Sequence, residues 1–417
     1  MTSMDSGDDL DSGLGYEDVS HAKVFLKDKF LPWHKPRKQY IRSNQWNKSI
    51  LNLVDTLDLK NKDRSLEYLS LPGPDLLDVR SLYTACEDKQ VKIRFTGLNA
   101  IAKEDKESIM DQLISLDELR GLKYIDPSSD VHQDNLERLS NKNSIAYQNI
   151  IKQAPTYDVI NIDLCGSFLE SPPKDKQNNY YDALFELLRY QADNRTEDWL
   201  FFITTRTNED MVHQDTFKIF VSILESIFDI DTAVYDRCTE LNIFGKDALT
   251  DRRIDIEKID TRSFNNLVSA GIGKWVLNAL TAKTPSYKSR MLKLFGYNVL
   301  LNPAASCDMV SFGFWCTRMP TKAVDIFGLS SSGANLASED SEITVSKCRL
   351  SVINSVSGIV DVDMHLLNDE AFEEALTSSA NLMKSARYDV ESYIEWARKE
   401  HSKVKTFLTE RKSASSL

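Results

Sequence analysis

The stretch from residue 67 to residue 79 constrains the fold of this chain more than any other part of it. It reads as a short apolar strand, a turn formed by Pro72, Gly73 and Pro74, and the start of a helix. A second apolar strand, at 91–98, follows after about twenty residues. Where a chain leaves a parallel strand and enters a helix, free backbone N–H groups and the positive helix end face outward. We therefore expect this turn to line a ligand crevice.

Strands and helices continue to alternate after this first unit. Apolar residues recur at three- and four-residue spacing in segments that we expect to be helical, whereas shorter apolar runs predict strands. A serine at 128 or 129 is expected to cap a short helix that carries Val131, Leu136 and Leu139. The predicted helices are 105–119 and 180–191, and the predicted further strands are 122–125, 157–164 and 199–206. Five such alternations indicate a doubly wound α/β sheet.

The later part of the chain changes character. Residues 208–292 are dominated by helical periodicity, and two strand-like runs follow at 296–303 and 309–316. Their short connection permits an antiparallel hairpin but no parallel crossover. We therefore predict an α/β fold with a mostly parallel, doubly wound sheet that ends in an antiparallel hairpin, together with a helical insertion and a helical C-terminal extension.

The predicted organisation follows from these patterns and from composition. Residues 1–22 are rich in Asp, Ser and Gly and lack an apolar period, which predicts a disordered acidic tail. The sheet domain is expected to span 23–318, and a Ser- and Gly-rich linker or loop 319–342. We expect 343–417 to be a mixed extension, with one or two strands in 344–362 and helix from 370 to 408.

Composition excludes several classes of function. The net charge is −12, with 51 basic against 63 acidic residues, which disfavours wrapping of nucleic acid by the overall field and leaves only local contact. The apolar runs are shorter than the roughly 20 residues of a membrane helix. The six cysteines lack the spacing of a zinc site or a disulfide framework, so we expect no metal. With no signal-peptide pattern at the start, we expect a cytoplasmic protein.

Two polar segments are candidates for a binding site. Residues 30–46 interleave cationic side chains with large aromatics, so that Arg37, Lys38 and Arg42 could grip a phosphate or carboxylate. The alternative is an ordinary surface turn with solvated cations. The apolar run at 157–164 contains Asp163 and leads into a polar turn at Gly166 and Ser167, which puts Asp163 at the rim of the crevice.

The order of these elements over about 30–318 resembles that of class I S-adenosylmethionine-dependent methyltransferases, a Rossmann-like family whose sheet ends in a hairpin. The Asp-Leu-Cys-Gly element at 163–166 is also similar to the Asp-x-x-Gly element of methyltransferase-like proteins from bacterial defence gene clusters. The resemblance implies S-adenosylmethionine as cofactor, with Asp163 orienting the methyl acceptor. The residues that it implies for cofactor binding are Ser70, Leu71, Gly73, Asp75, Asp78, Asn99 and Gln45, and Ser167 joins the three basic residues on the substrate side.

Two functions remain open at this stage. One is a methyltransferase that acts on a nucleic acid or another phosphate-containing substrate. The other is an inactive scaffold or binding subunit of a multi-protein assembly, including an anti-phage one. Two prolines remove N–H donors from the predicted cofactor turn, and Asn99 stands where the family usually has a ribose-binding acid. These two departures favour the second function.

Overall fold

The computed structural model describes residues 26–172, 174, 178–281, 287–301, 307–319 and 338–414. The acidic tail predicted at 1–22 lies outside this part of the chain. So does the predicted linker, apart from residue 319 and residues 338–342, which begin a helix. None of the helices in the described residues combines the length and apolar character that a membrane crossing requires.

The strands in the described residues are β1 (Leu66–Ser70), β2 (Ile93–Asn99), β3 (Asp130–Gln133), β4 (Val159–Asp163), β5 (Trp199–Arg206), β6 (Leu249–Thr250), β7 (Arg253–Ile254), β8 (Tyr287–Met291), β9 (Phe295–Tyr297), β10 (Met309–Arg318) and β11 (Val360–Asp361). Nine of them form one sheet, in the order β11-β9-β10-β5-β4-β1-β2-β3, with β8 paired to β10. The other two, β6 and β7, form a separate two-stranded ribbon.

The sheet is doubly wound, as the sequence predicted. The chain runs from β1 to β2 and β3, then crosses back to place β4 on the other side of β1. The pairs β1–β2, β2–β3, β1–β4 and β4–β5 are all parallel. In contrast, β10 is antiparallel to β5, β8 and β9. The mostly parallel sheet that ends in antiparallel strands is thus confirmed. The strand order reverses between β1 and β4, which is where ligands bind in such sheets.

Helices cover both faces of the sheet. They are α1 (Pro36–Ile41), α2 (Lys48–Leu57), α3 (Leu77–Glu87), α4 (Lys106–Arg120), α5 (Tyr180–Asn194), α6 (Gln214–Ile230), α7 (Thr232–Glu240), α8 (Thr261–Thr281), α9 (Ser338–Ser357), α10 (Val362–His365), α11 (Asp369–Ser385) and α12 (Val390–Ala414). A π-helical segment, Arg42–Asn47, joins α1 to α2 without a break.

Alternation along the strands divides the apolar side chains between two cores. In β1, Tyr68 packs into the core beneath α2 and α3, while Leu69 packs into the core beneath α5, α6 and α8. Phe202 and Phe201 of β5 are divided in the same way. Complete burial of one such side chain contributes about 1.5–3 kcal/mol. A one-residue register shift would exchange the two sets, so these packing preferences fix the register at the crevice.

The third strand does not lie where the sequence predicted it. Residues 122–125 supply only a single bridge, between Ile125 and Ile93, and β3 begins at Asp130. Ser129, expected as a helix cap, instead accepts a hydrogen bond from the backbone N–H of Phe95 in β2. The serine therefore fixes the turn that leads into β3, and the prediction was wrong because this partner is distant in sequence.

The segment 344–362 is helical over most of its length rather than a strand. Helix α9 buries Cys348, Val352 and Val356, which are spaced one turn apart, and it packs on α8. Only β11 is extended. The β-branched residues suggested strands, but a helix places them on one face against α8, and packing outweighs their intrinsic preference.

Candidate functional site at the β1/β4 edge

The carboxyl ends of β1 and β4 lie side by side where the strand order reverses. Ser70 is in register with Asn161, and Asp163 ends β4 one pleat further on. All residues of β1 are buried, whereas the side chain of Asp163 keeps 23% of its surface exposed. Asp163 therefore ends β4 at this edge with part of its side chain in contact with solvent.

The three candidate basic residues of segment 30–46, Arg37, Lys38 and Arg42, form a wall beside this edge and are buried. Pro36 occupies the first turn of α1, where its missing N–H costs nothing. The following π-helical segment is anchored on β10, because Trp46 Nε1 donates to Ser311 Oγ (3.1 Å) and Gln45 Nε2 donates to the carbonyl of Ser311 (2.9 Å). Segments of π-helix occur frequently at functional sites. The alternative of a solvated surface turn is not what the structure shows.

Lys38 of α1 holds the predicted catalytic acid in an ion pair. Its Nζ lies 2.5 Å from Asp163 Oδ1, and its side chain is only 4% exposed. The ammonium also lies 5.0 Å from the Trp46 ring centre and 5.9 Å from that of Tyr297. Burial lowers the pKa of Lys38, but the charge of Asp163, the Tyr297 hydroxyl and the hydrogen bond to Asp163 together outweigh it, so the pKa of Lys38 is raised overall. Lys38 is therefore an ammonium at neutral pH.

Arg42 is the least satisfied charge at this edge. Its side chain is buried, and its Nε has no hydrogen-bond partner in the described part of the chain. Burial lowers the pKa of Arg42, against the charges of Asp163 and Asp78. Nothing in this environment removes the positive charge of a guanidinium at neutral pH.

Asp78 is the second carboxylate of the cluster. Burial raises its pKa, and the hydrogen bond from Tyr68 and the charge of Arg42 oppose that shift. The hydroxyl of Tyr68 donates to Asp78 (3.0 Å) and accepts from Asn161 Nδ2 (2.9 Å). A hydrogen-bonded chain thus links the start of α3 to the strands β1 and β4.

Several buried polar atoms around this edge lack partners within the described residues. Besides Arg42 Nε, they are Arg37 Nε in α1, Ser70 Oγ at the end of β1, Asn161 Oδ1 in β4, Thr207 Oγ1 after β5 and Asn298 Oδ1 after β9. Buried polar atoms in native proteins are nearly always hydrogen-bonded, and leaving one without a partner costs about 1–3 kcal/mol. Their concentration at the carboxyl ends of the strands indicates a site for a polar ligand.

The predicted cofactor turn is accessible but partly engaged. A methyl group added at Gly73 would meet nothing within 4 Å, so the turn faces open space. Asp75, in contrast, accepts from Lys27 Nζ (2.5 Å) and from the Tyr388 hydroxyl (2.8 Å). His34 Nε2 is 3.8 Å from the same carboxylate, and burial lowers the pKa of His34 to about 4. Asp75 therefore ties the turn to the segments before α1 and after α11.

The remaining predicted residues are dispersed around the crevice. Leu71 is half-buried beside the turn. Asn99 ends β2 and donates to Gln112 Oε1 (2.7 Å). Arg37 is paired with Asp363 (3.1 Å) and donates to the carbonyl of Asn298 (2.8 Å). Ser167 donates to the carbonyl of Arg206 (3.0 Å) at the end of β5. The structure thus brings Lys38, Arg42, Asp78 and Asp163 together and leaves the others at the periphery.

Two residues at the edge were not singled out from the sequence. Asn161 is a polar residue inside an otherwise apolar strand, and that irregularity is the signal that could have identified it. Tyr297 covers both Lys38 and Arg37, with the Arg37 guanidinium 4.5 Å from its ring centre. Nothing local marks Tyr297, because its partners are more than 250 residues away in sequence.

The described residues contain no group of three or more His, Cys, Asp or Glu side chains that could hold a metal ion. All six cysteines are free, and Cys165 is the exposed one. It follows Asp163 by two residues, and burial raises its pKa, reinforced by the charge of Asp163. A thiol with a raised pKa is a poor nucleophile at neutral pH.

Comparison with solved structures finds methyltransferases. An rRNA methylase from Streptococcus thermophilus is 8% identical, with 61% of this chain and 89% of that chain covered and a TM-score of 0.30. An O-methyltransferase family protein from Burkholderia thailandensis is 10% identical, with 72% of this chain and 68% of that chain covered and a TM-score of 0.27. The S-adenosylmethionine-dependent methyltransferase SibL is 13% identical, with 65% of this chain and 56% of that chain covered and a TM-score of 0.27. These scores are low, so the fold assignment rests on the strand order and register.

Sequence comparison gives a single family. No curated protein matches the chain. The family described as PP_RS20740-like matches residues 27–398, which include the whole sheet, the basic wall of the crevice and most of the C-terminal helices. The chain belongs to the PP_RS20740-like family.

Proposed function

We propose that this chain binds S-adenosylmethionine at the β1/β4 edge and is a methyltransferase-like protein. The single observation that carries the proposal is Arg42, a buried guanidinium at the point where the strand order reverses, whose Nε has no partner among the residues that the structure describes. A guanidinium forms strong, charge-assisted hydrogen bonds with a carboxylate. The carboxylate of the methionine moiety would satisfy it, as the open turn at Gly73 would accommodate the backbone of such a ligand.

The residues present fit the cofactor in part. Asn99 lies on the rim of β2 and retains its amide oxygen for a ribose hydroxyl while its Nδ2 bonds Gln112. Asn161 Oδ1, beside the turn, is a buried acceptor to which no group in the described ranges donates. S-adenosylmethionine supplies an activated methyl group, so the protein itself needs only to bind and align. Pro72 and Pro74 reduce the number of backbone donors in the turn, which makes the side chains more important for affinity.

The basic residues favour a compact acceptor over an extended nucleic-acid backbone. Arg37, Lys38 and Arg42 are all buried, and two of them are already paired with carboxylates. Phosphates of a long duplex would need exposed cations along a surface. Within the crevice these residues suit one phosphate or carboxylate group, on a small molecule or on a nucleotide that is drawn in.

A binding subunit without catalysis is the second candidate, and the Lys38–Asp163 pair favours it. A carboxylate that is held 2.5 Å from an ammonium is not a free base for an acceptor amine or hydroxyl. Methyl transfer assisted by Asp163 therefore requires the acceptor to displace Lys38. Asp75 is likewise occupied by Lys27 and Tyr388, which favours a turn with a structural role.

Calorimetric titration with S-adenosylmethionine and S-adenosylhomocysteine tests the cofactor proposal. Arg42→Met is expected to weaken binding about 10- to 100-fold, since a hydrogen bond to a charged group contributes about 1.5–3 kcal/mol. Arg290→Met is the matched control, because Arg290 is an exposed residue of β8, away from the crevice. If neither compound produces heat or a thermal shift with the wild-type protein, the chain does not use this cofactor.

A methyl-transfer assay then separates the two candidates. Wild-type protein is incubated with radiolabelled S-adenosylmethionine and pools of small molecules, RNA and protein. Incorporation that falls in Asp163→Asn while cofactor affinity is retained supports the enzyme. Binding of the cofactor with no transfer to any pool supports the binding subunit.

A further inference from the structure

A polar groove lies on the outer side of the helix layer, away from the β1/β4 edge. We call it the α3–α11 groove: two adjoining cavities of about 590 and 300 Å³ between the continuous helix of residues 36–57, α3 and α11. Gln39, Ser43 and Ser378 line both cavities. Neither cavity is lined by Asp163 or by the turn after β1, so the groove is a second site.

Gln39 at the floor of the groove has an unsatisfied acceptor. Its side chain is 5% exposed, and its Oε1 has no hydrogen-bond partner in the described part of the chain. Its Nε2 is directed at Ser43, Ser81 and Ser378 over distances of 3.3–3.4 Å, which are long for such bonds. A buried carbonyl oxygen without a donor costs about 1–3 kcal/mol. A ligand that brings a hydroxyl or N–H to this oxygen would recover that energy.

The lining is better suited to a neutral ligand than to a charged one. Nine of its 19 residues are Ser, Thr, Asn or Gln, and the charged residues are one cation and two anions without any arginine. An anion such as a phosphate would lack a guanidinium to bind it. The charged lining residues are Lys48, Asp88 and Glu374, and the hydroxyl and amide ones are Gln39, Ser43, Asn44, Asn47, Ser81, Thr84, Ser378, Asn381 and Ser385.

Apolar and aromatic surface completes the lining. Leu51, Ala85 and Leu382 line the larger cavity, and Tyr40 and His365 line the smaller one, with their ring centres 4.9 Å apart. A sugar ring combines hydroxyl groups at its edge with C–H groups on its faces. It can therefore bond to the amides and hydroxyls while its faces pack on the apolar side chains and rings.

We propose that the α3–α11 groove binds a neutral sugar ring, supplied by a free saccharide or by the ribose of a nucleoside. The donor to Gln39 Oε1 is a ring hydroxyl, and Ser378 and Ser43 contact the same ligand from opposite walls. The proposal does not depend on cofactor binding at the β1/β4 edge. The two sites are formed by different side chains of shared helices. The continuous helix presents Lys38 to one and Gln39 to the other, and α3 carries Asp78 at the edge and Ser81 in the groove.

Maltotriose and uridine are the probes, and binding is measured by saturation-transfer NMR and calorimetry on the full chain. Ser378→Arg places a long charged side chain in both cavities and is expected to abolish binding. Thr377→Arg is the matched control, because it adds the same side chain to the neighbouring, exposed position of α11, which lines neither cavity. Gln39→Leu removes the buried acceptor and is expected to weaken binding at least about tenfold.

The outcomes separate the sources of the ligand and the two sites. Binding of maltotriose alone identifies a saccharide, and binding of uridine alone identifies a nucleoside. In either case binding of the probe must persist in Thr377→Arg and in Arg42→Met, since Arg42→Met changes only the β1/β4 edge. The proposal is overturned if neither probe binds, or if binding survives unchanged in Ser378→Arg. Ser378→Arg tests the proposal even if Gln39→Leu fails to fold.

Discussion

The ion pair between Lys38 and Asp163 gives a quantitative prediction about the stability of the crevice. Its two members differ in burial, with 4% of the lysine side chain exposed against 23% of the aspartate. Asp163→Asn leaves a fully buried ammonium without its carboxylate, and we expect a loss of about 3–5 kcal/mol in the free energy of unfolding. Lys38→Met leaves a carboxylate that can still reach water, so the expected loss is smaller, about 1–3 kcal/mol.

The double variant makes the test specific to the pair. Lys38→Met combined with Asp163→Asn removes both charges, so its destabilisation should be smaller than the sum of the two single losses by about 1–3 kcal/mol. Urea unfolding followed by tryptophan fluorescence measures all four proteins, with an unchanged denaturant slope as the condition for comparison. Strict additivity of the two substitutions, or a larger loss in Lys38→Met than in Asp163→Asn, would refute the reasoning.

The pH dependence of the same variants follows from the sign of each pKa shift. In the wild type the folded-state pKa of Lys38 is raised above 10.5, so the contribution of the pair is present below that pH and is lost as the pH rises through the folded value. In Asp163→Asn the carboxylate no longer opposes burial, and the pKa of Lys38 falls below its unfolded value. The unfolded state then binds more protons, so the stability of this variant should rise with pH up to about 10.

Three further predictions concern other parts of the molecule. Burial lowers the pKa of His34 to about 4, so protonation of this side chain favours the unfolded state. The free energy of unfolding should therefore fall by about 3 kcal/mol as the pH drops from 6.5 to 4. His34→Asn should show a smaller fall in the same urea titrations. Gly271→Ala would push a methyl group into the ring of Phe220 and should lower the free energy of unfolding by about 1–3 kcal/mol. In Gly73→Ala the added methyl group meets nothing within 4 Å, so the free energy of unfolding should change by less than about 0.5 kcal/mol. Equal effects of the two substitutions in thermal unfolding would contradict this packing. Cys165 is the exposed cysteine, so a thiol reagent should modify one group in the folded protein and six after unfolding. Rapid modification of a second thiol in the folded state would be inconsistent with the structure.

The sequence was most informative where a pattern is local. The alternation of apolar runs predicted the parallel strands, and the short connection after residue 303 predicted the antiparallel pair of β9 and β10. The position of Asp163 at the rim followed from the same reasoning, because the end of a strand is visible in the sequence. Residues 122–125 and 344–362 were predicted wrongly, since the pairing of Ser129 with Phe95 and the packing of α9 on α8 are contacts between distant segments.

The sequence by itself determined the kind of sheet and the edge at which a ligand is expected, because both follow from the period and order of apolar segments. The tertiary structure decided the chemistry of that edge. Only the folded chain places Lys38 on Asp163 and covers the pair with Tyr297. It also buries Arg42 so that its Nε meets no acceptor within the described part of the chain. These residues come from segments 125 or more positions apart, such as Lys38 and Asp163. Burial and charge compensation depend on that assembly, and no local pattern encodes them.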